Sequence, residues 1–431
     1  MLILLLSMAI HGIVHASSPV IDVLTVKGTV NPVLVDYIKR GISQAERDNA
    51  ILCVIQLDTP GGLDTSMRDI VQSILASKVP VVVYVAPSGA RAASAGVFIT
   101  MAAHVAAMAP ETAIGAAHPV ALSTGETVDP TMEEKAVNDA VAFIKSLAES
   151  HGRNVEWAEK SVRESASITE QEAIKTGVIE IIAEDLKSLL IQLDGHEVKM
   201  SQNEIITIHT GNAAIRYLKM NWMEEFLYVI ADPNIAYILL SLAALGIFAE
   251  IFNPGLIFPG IIGGICGLLA FYALGMLPVN LTGILLVVLG FGFFIAEALT
   301  SGFGLLFTGG IVSLVIGSLI LFKGGGPEMR VNPVVITIVV LAIAGFFGFV
   351  VERAVKIHRK QATTGKEELI GHLAITRTSL NPVGQVFLDG ERWTAISESG
   401  EIQPNETVVI TRVEGLKLYV KKQESGGGKQ S

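Results

Sequence analysis

Arg91-Ala92-Ala93-Ser94-Ala95-Gly96 is the stretch on which the reading of this 431-residue chain turns. It comes after Val81-Val82-Val83-Tyr84-Val85, an apolar run with the length and β-branched content of a buried strand, and after Pro87-Ser88-Gly89, a turn. A helix that opens on residues this small lets a second backbone approach closely. It also leaves one hydroxyl, that of Ser94, at a helix N-terminus, where amide donors favour negative charge. That is where a nucleophilic serine sits. A second turn, Asp58-Thr59-Pro60-Gly61-Gly62, comes directly after the strand-like run Ile51 to Leu57. Its two glycines carry no Cβ to block an approach, so the amides of Gly61 and Gly62, with that of Ala95, can face an oxyanion. Each turn alone equally suits ordinary packing; the two together point to acyl transfer.

Leu57-Asp58-Thr59-Pro60-Gly61-Gly62 followed by Ala93-Ser94-Ala95-Gly96 resembles the ClpP class of serine peptidases. Taken together with its downstream apolar runs and short C-terminal strands, the chain resembles the long, membrane-bound form of the NfeD family over nearly its whole length. The resemblance implies a ClpP/crotonase-like α/β domain at the N-terminus, an all-α multi-span membrane domain, and a small all-β OB-fold barrel at the C-terminus. It further implies a serine endopeptidase that cleaves hydrophobic segments of membrane-associated proteins, with stomatin-like (SPFH) proteins as substrate or partner. A homo-oligomer, dimer or higher, is expected. The rival reading is a catalytically inactive membrane scaffold that assembles with stomatin-like proteins; the joint presence of Ser94, Lys135 and Gly61-Gly62 argues against it.

A serine hydroxyl is a poor nucleophile until a base takes its proton. The resemblance implies a Ser-Lys dyad, and Glu134-Lys135-Ala136-Val137-Asn138, running on to Glu149, is the stretch that carries the lysine, Lys135. A lysine acts as base near neutral pH only when burial or a nearby cation lowers its pKa, and the neighbours Met132 and Val137 permit burial. The alternative base is His118, 24 residues after Ser94 and close to where ClpP-like peptidases keep a triad histidine. Asp139, one turn beyond Lys135, either orients the lysine or faces water. His104 reads as a helix-end residue. The nine histidines and two cysteines show no metal-ligand spacing, so neither metal nor cofactor is expected.

Half of the residues are hydrophobic and only 17% are charged, which places part of the chain in a membrane, and the net charge of −10 offers no basic footprint for nucleic acid. Residues 1–16 read as a secretory signal, although no Lys or Arg precedes Lys27, so cleaved signal and retained anchor both stand. Strands alternate with helices across 17–195, which predicts a largely parallel sheet, and Thr131 with Glu134 suggests a capping box at the head of a helix over 129–151. Residues 196–230 read as a linker with an amphipathic stretch from Ile215 to Tyr228. Residues 231–352 then carry five apolar runs of spanning length, at 235–252, 256–277, 281–299, 303–322 and 333–351. Export of the first domain followed by five spans puts the C-terminus in the cytoplasm, in accord with Arg353, Lys356, Arg359 and Lys360 after the last run. Ala249-Glu250 and Ala296-Glu297 recur at an offset of 47 residues; both glutamates read as interfacial, or as sites if they lie at membrane depth. Cys53 and Cys266 fall in a core strand and a span, so no disulfide is expected. Five short alternating strands over 365–422 suggest a closed barrel with too few aromatics for a nucleic-acid platform, hence a protein-interaction module, and 423–431 reads as a disordered tail.

Overall fold

The computed structural model describes residues 19–120, 130–200, 204–252, 255, 257–277, 279–300, 304–322, 330–359 and 369–423. The expected signal segment and the tail beyond 423 lie outside them. The chain opens with β1 (Val20–Lys27), α1 (Pro32–Arg47), β2 (Leu52–Asp58), α2 (Asp64–Leu75) and β3 (Val81–Val85). β3 is buried along its whole length and β2 nearly so, which is why both read as almost unbroken apolar runs. The Asn31 side chain caps α1 by accepting from the Leu34 amide at 3.0 Å, with Pro32 just inside, where a missing N–H costs nothing.

Next come β4 (Arg91–Ala93), α3 (Ala95–Met101), β5 (Val105–Met108), β6 (Ala113–Gly115), α4 (Pro130–Ser150), α5 (Val155–Arg163), β7 (Ser167–Thr169), α6 (Glu170–Lys175), β8 (Ile181–Ile182) and α7 (Leu186–Leu193). The sequence reading puts Ser94 at a helix N-terminus, and the structure starts α3 directly after it; the residues just before, 91–93, form a strand that the reading did not assign. Thr59 imposes this, its amide donating to the Arg91 carbonyl at 2.8 Å and its carbonyl accepting from the Ala93 amide at 3.0 Å. Thr131 lies inside the first turn of α4, so it does not cap that helix, and the expected head of the helix at 129 falls outside the described residues. Capping boxes occur instead at Thr169/Glu172 and Asp185/Ser188.

The α/β domain does not close near Gly195. After the hairpin of β9 (Glu197–Lys199) and β10 (Ile205–Thr207), β11 (Ala214–Leu218) returns to pair in parallel with β1. The completed six-stranded sheet runs β11-β1-β2-β3-β5-β8, all parallel, with a separate sheet β4-β6-β7. The cause is electrostatic. Asp22, on β1, is fully buried, and Arg216, on β11, donates to both its carboxylate oxygens at 2.7 and 2.8 Å. A buried carboxylate without such a partner is severely destabilising. Much of the stretch expected as a linker is therefore an edge of the sheet. Beyond it, α8 (Trp222–Ile230) docks on α1 by a two-pronged Glu224–Arg40 ion pair at 2.7 Å.

The membrane region comprises α9 (Pro233–Phe252), α10 (Ile257–Met276), α11 (Leu281–Leu299), α12 (Leu305–Ile320) and α13 (Pro333–Arg359). Four of these are long and apolar enough to cross a bilayer, and α12, which falls in the fourth of the five expected runs, is a shorter apolar helix of 16 residues. At 1.5 Å per residue it is about 24 Å long, short of a hydrocarbon core of about 30 Å. The 47-residue repeat corresponds to two helical hairpins, α9–α10 and α11–α12. In each, glycines bring backbones together: a Cβ on Gly246 would lie 2.7 Å from Gly263, and one on Gly283 would lie 2.6 Å from Leu321. Glu297 is buried and accepts from the amides of Gly304 and Leu306 at 2.9 and 3.2 Å, so it caps the N-terminus of α12.

The C-terminal strands β12 (Leu373–Thr376), β13 (Val383–Leu388), β14 (Glu391–Ser397), β15 (Thr407–Glu414) and β16 (Lys417–Lys422) close a barrel in the order β12-β13-β14-β16-β15. Alternate residues such as Val386, Ala395, Val408 and Leu418 fill its interior.

Candidate active site

Ser94 stands between β4 and α3 with φ 52° and ψ −112°, a backbone conformation that costs a non-glycine residue about 1–3 kcal/mol. Three contacts hold it there. Its amide donates to the Gly115 carbonyl at 3.1 Å, its carbonyl accepts from Val97 at 3.0 Å, and Gly96 behind it has no Cβ, which would meet the Thr59 methyl at 2.7 Å. The hydroxyl thus stands at the head of a fully buried helix, beside first-turn amides that have no acceptor among the described residues.

The Gly61-Gly62 turn lies against this serine: a Cβ on Gly61, which has φ 115°, would fall 2.6 Å from the Ser94 Cβ. The two glycines differ in what their amides do. The Gly61 N–H donates to the Thr59 hydroxyl at 3.0 Å, so its expected role as an oxyanion donor is corrected. The Gly62 and Ala95 amides have no acceptor among the described residues. Val30 fixes the turn from the other side, donating to the Gly61 carbonyl at 2.8 Å and accepting from Leu63 at 2.9 Å. Neither Val30 nor Thr59 is singled out by the sequence, although a threonine two residues before a glycine is a known turn former. A cavity of about 420 Å³ opens beside the turn, with Asp58, Pro60, Leu63 and Arg91 on the domain side and Tyr228 and Met276 toward the membrane helices.

The candidate bases are placed less simply. Lys135 is exposed on α4, with no hydrogen bond or ion pair among the described residues, and Met132 beside it is 58% exposed. The expected burial is therefore absent within this chain, for a local reason: the buried residues of α4 begin only at Ala140, so its first turns project beyond the core. Asp139 pairs with Arg68 on α2, which also lies over the Phe143 ring at 4.6 Å, and so does not orient the lysine. His118 is half-buried with its Nδ1 2.8 Å from the Val162 carbonyl, a contact that requires the proton on Nδ1.

His104 is part of the scaffold: its Nδ1 accepts from the Val81 amide at 3.1 Å and its ring meets His151 edge-on. Burial, more than the neighbouring His151 and Arg153, pushes its pKa down to about 4. A histidine held neutral in the fold but ordinary when unfolded takes up protons on unfolding, so stability is full above about pH 6.5 and drains as pH falls toward 4, by at most about 3 kcal/mol. Thermal melts from pH 7.5 to 4.5 are expected to show this decline, and His104→Gln to flatten it.

The fold is an α/β domain on an all-parallel six-stranded sheet, joined to apolar helices and to a closed five-stranded barrel. The chain belongs to the NfeD family. It matches the NfeD1b N-terminal domain over residues 20–218, the NfeD integral membrane domain over 234–353 and the NfeD-like C-terminal, partner-binding domain over 366–422. A membrane-bound protease of Pyrococcus horikoshii is 38% identical over 443 residues, covering 99% of each chain. The membrane protein NfeD1b of Bacillus subtilis is 28% identical over 437 residues, covering 94% of this chain and 93% of its own. A solved structure of a membrane-bound stomatin-specific protease, a lysine-to-alanine mutant in complex with a substrate peptide, is 38% identical and covers 50% of this chain and 98% of its own, with a TM-score of 0.46.

Proposed function

We propose that the chain is a membrane-bound serine endopeptidase that uses a Ser94–Lys135 dyad to cut hydrophobic segments of stomatin-like membrane proteins. The observation that carries the reading is the strained Ser94 at the head of α3, with the Gly61-Gly62 turn against it and the amides of Gly62 and Ala95 without an acceptor among the described residues. Ser94 Oγ attacks the peptide carbonyl, Lys135 takes the proton and later gives it to the leaving amine, and the two amides receive the oxyanion. The substrate lies extended beside the Gly61-Gly62 turn, and the neighbouring cavity leads from that turn toward the end of α10. Lys135 becomes a competent base once the exposed first turns of α4 are covered, by a second copy in a homo-oligomer or by the substrate itself.

The protease domain is exported and the barrel lies in the cytoplasm. Supporting this, α12 runs antiparallel to α11, the Asn280 amide at the start of one bonding the Leu321 carbonyl at the end of the other, and Asn332 ahead of α13 bonds Asn234 at the start of α9. The direction therefore alternates through all five helices even though α12 is short.

The test is cleavage of apolar peptides from membrane-protein tails by the full-length protein in detergent. Ser94→Ala and Lys135→Ala are each expected to lower kcat by roughly 10³-fold or more, and His118→Ala to leave most of it. An inactive His118→Ala with an active Lys135→Ala transfers the base to His118. The exposure of Lys135 gives the non-catalytic scaffold reading its one foothold, and a wild type that cuts nothing selects it.

A further inference from the structure

α8 has two unlike sides. Glu224 and Tyr228, one turn apart, bind it to the α/β domain: Glu224 holds Arg40, and the Tyr228 hydroxyl donates to the Lys27 carbonyl at 2.8 Å. On the opposite side Trp222, Met223, Phe226 and Val229 are 74, 43, 46 and 51% exposed. Trp222, Phe226 and Val229 keep the i, i+4, i+7 spacing of one helical face, with Glu225 at its margin. A helix end closed by its own capping box, Asn221 with Glu224, gains nothing locally from four large apolar side chains pointing outward.

The position of α8 in the chain identifies the occupant. Only Ala231 and Asp232 separate it from α9, the first membrane-crossing helix, and Asp232 caps that helix through the amides of Asn234 and Ile235. A two-residue link keeps the C-terminal end of α8 close to the level at which α9 enters the bilayer, and the whole nine-residue helix extends only about 13 Å from that point. A short helix with Trp and Phe on one face and a charged pair on the other, at that depth, has the make-up of an in-plane interfacial helix. We infer that α8 lies in the headgroup layer with Trp222, Phe226 and Val229 in the lipid, and that its Glu224 and Tyr228 contacts fix the protease domain to the membrane surface. The inference does not depend on catalysis.

The experiment uses the full-length protein in which Trp157→Phe and Trp393→Phe leave Trp222 as the sole tryptophan, reconstituted in phosphatidylcholine vesicles with bromine placed at shallow or deep acyl positions. Loss of most of the Trp222 emission with shallow bromines, and less with deep ones, is expected. Wild type compared with Trp222→Phe gives the same answer if the double substitution disturbs folding, since the quenched component then disappears with Trp222. Emission that bromine leaves intact and aqueous iodide quenches overturns the proposal. So does emission shielded from both while Trp222→Cys crosslinks two copies, which assigns the face to a second copy of the chain.

Discussion

Gly62→Ala is expected to lower kcat/KM by roughly 10²-fold or more, the scale on which a single oxyanion donor acts. The Cβ would fall 2.1 Å from the carbonyl oxygen of Val30 and 2.6 Å from its nitrogen. These are backbone atoms, so no side-chain rotation relieves the contact; the turn must move, and the Gly62 amide moves with it. Gly177→Ala is the control for adding a methyl group without a clash, since the added Cβ meets nothing within 4 Å, the positive φ of 72° there being the one strain it introduces. It should cost only about 1 kcal/mol of stability and leave the rate alone. A Gly62→Ala protein that melts normally and cuts at the wild-type rate would remove Gly62 from the mechanism.

The second large effect concerns Arg153, whose side chain is 1% exposed. It donates to the carbonyls of Met101 and Ala103 at 2.7 and 2.9 Å, at the far end of α3, and to both carboxylate oxygens of Glu180 at 2.8 and 2.9 Å. Glu180 in turn accepts from the Ala106 amide at the start of β5. Truncation leaves buried carbonyls and a carboxylate without their cation, a loss of about 3–5 kcal/mol. Arg153→Ala should therefore unfold at markedly lower denaturant than wild type, and Arg153→Lys should recover only part of the difference because an ammonium cannot fork to this many acceptors. Equal midpoints for wild type and Arg153→Ala would refute the assignment. Because α3 begins at Ser94 and ends at these carbonyls, the variant should also lose activity in proportion to how far it loosens the helix.

The parts of the fold that could be read from the residues are those whose burial is uniform. β2, β3 and β5 announce themselves as apolar runs, the barrel strands by alternation between Gly and Pro punctuation, and the spans by length. β11 could not be read in this way. Its pattern is mostly exposed, and what draws it into the sheet is Asp22, 194 positions away, a polar need that no local periodicity records. The site divides along the same line. Ser94 and Gly62 stand out in the sequence because the two turns occur together and carry the family resemblance; each turn alone suits ordinary packing. The engagement of the Gly61 amide by Thr59 depends on a rotamer, and the state of Lys135 depends on whatever covers the first turns of α4; neither is local to the residue concerned.

The β1–β11 seam also orders events in time. As the polypeptide is made, β1 appears first and must wait for β11, so until Leu218 has emerged one edge of β1 is bare and the Asp22 carboxylate lacks its guanidinium. The first apolar helix starts at Pro233, shortly after. Completion of the protease sheet and arrival of α9 at the bilayer thus fall within one short interval of synthesis. The sheet therefore gains its last strand only when the first apolar helix is about to follow, so the two parts of the chain mature together.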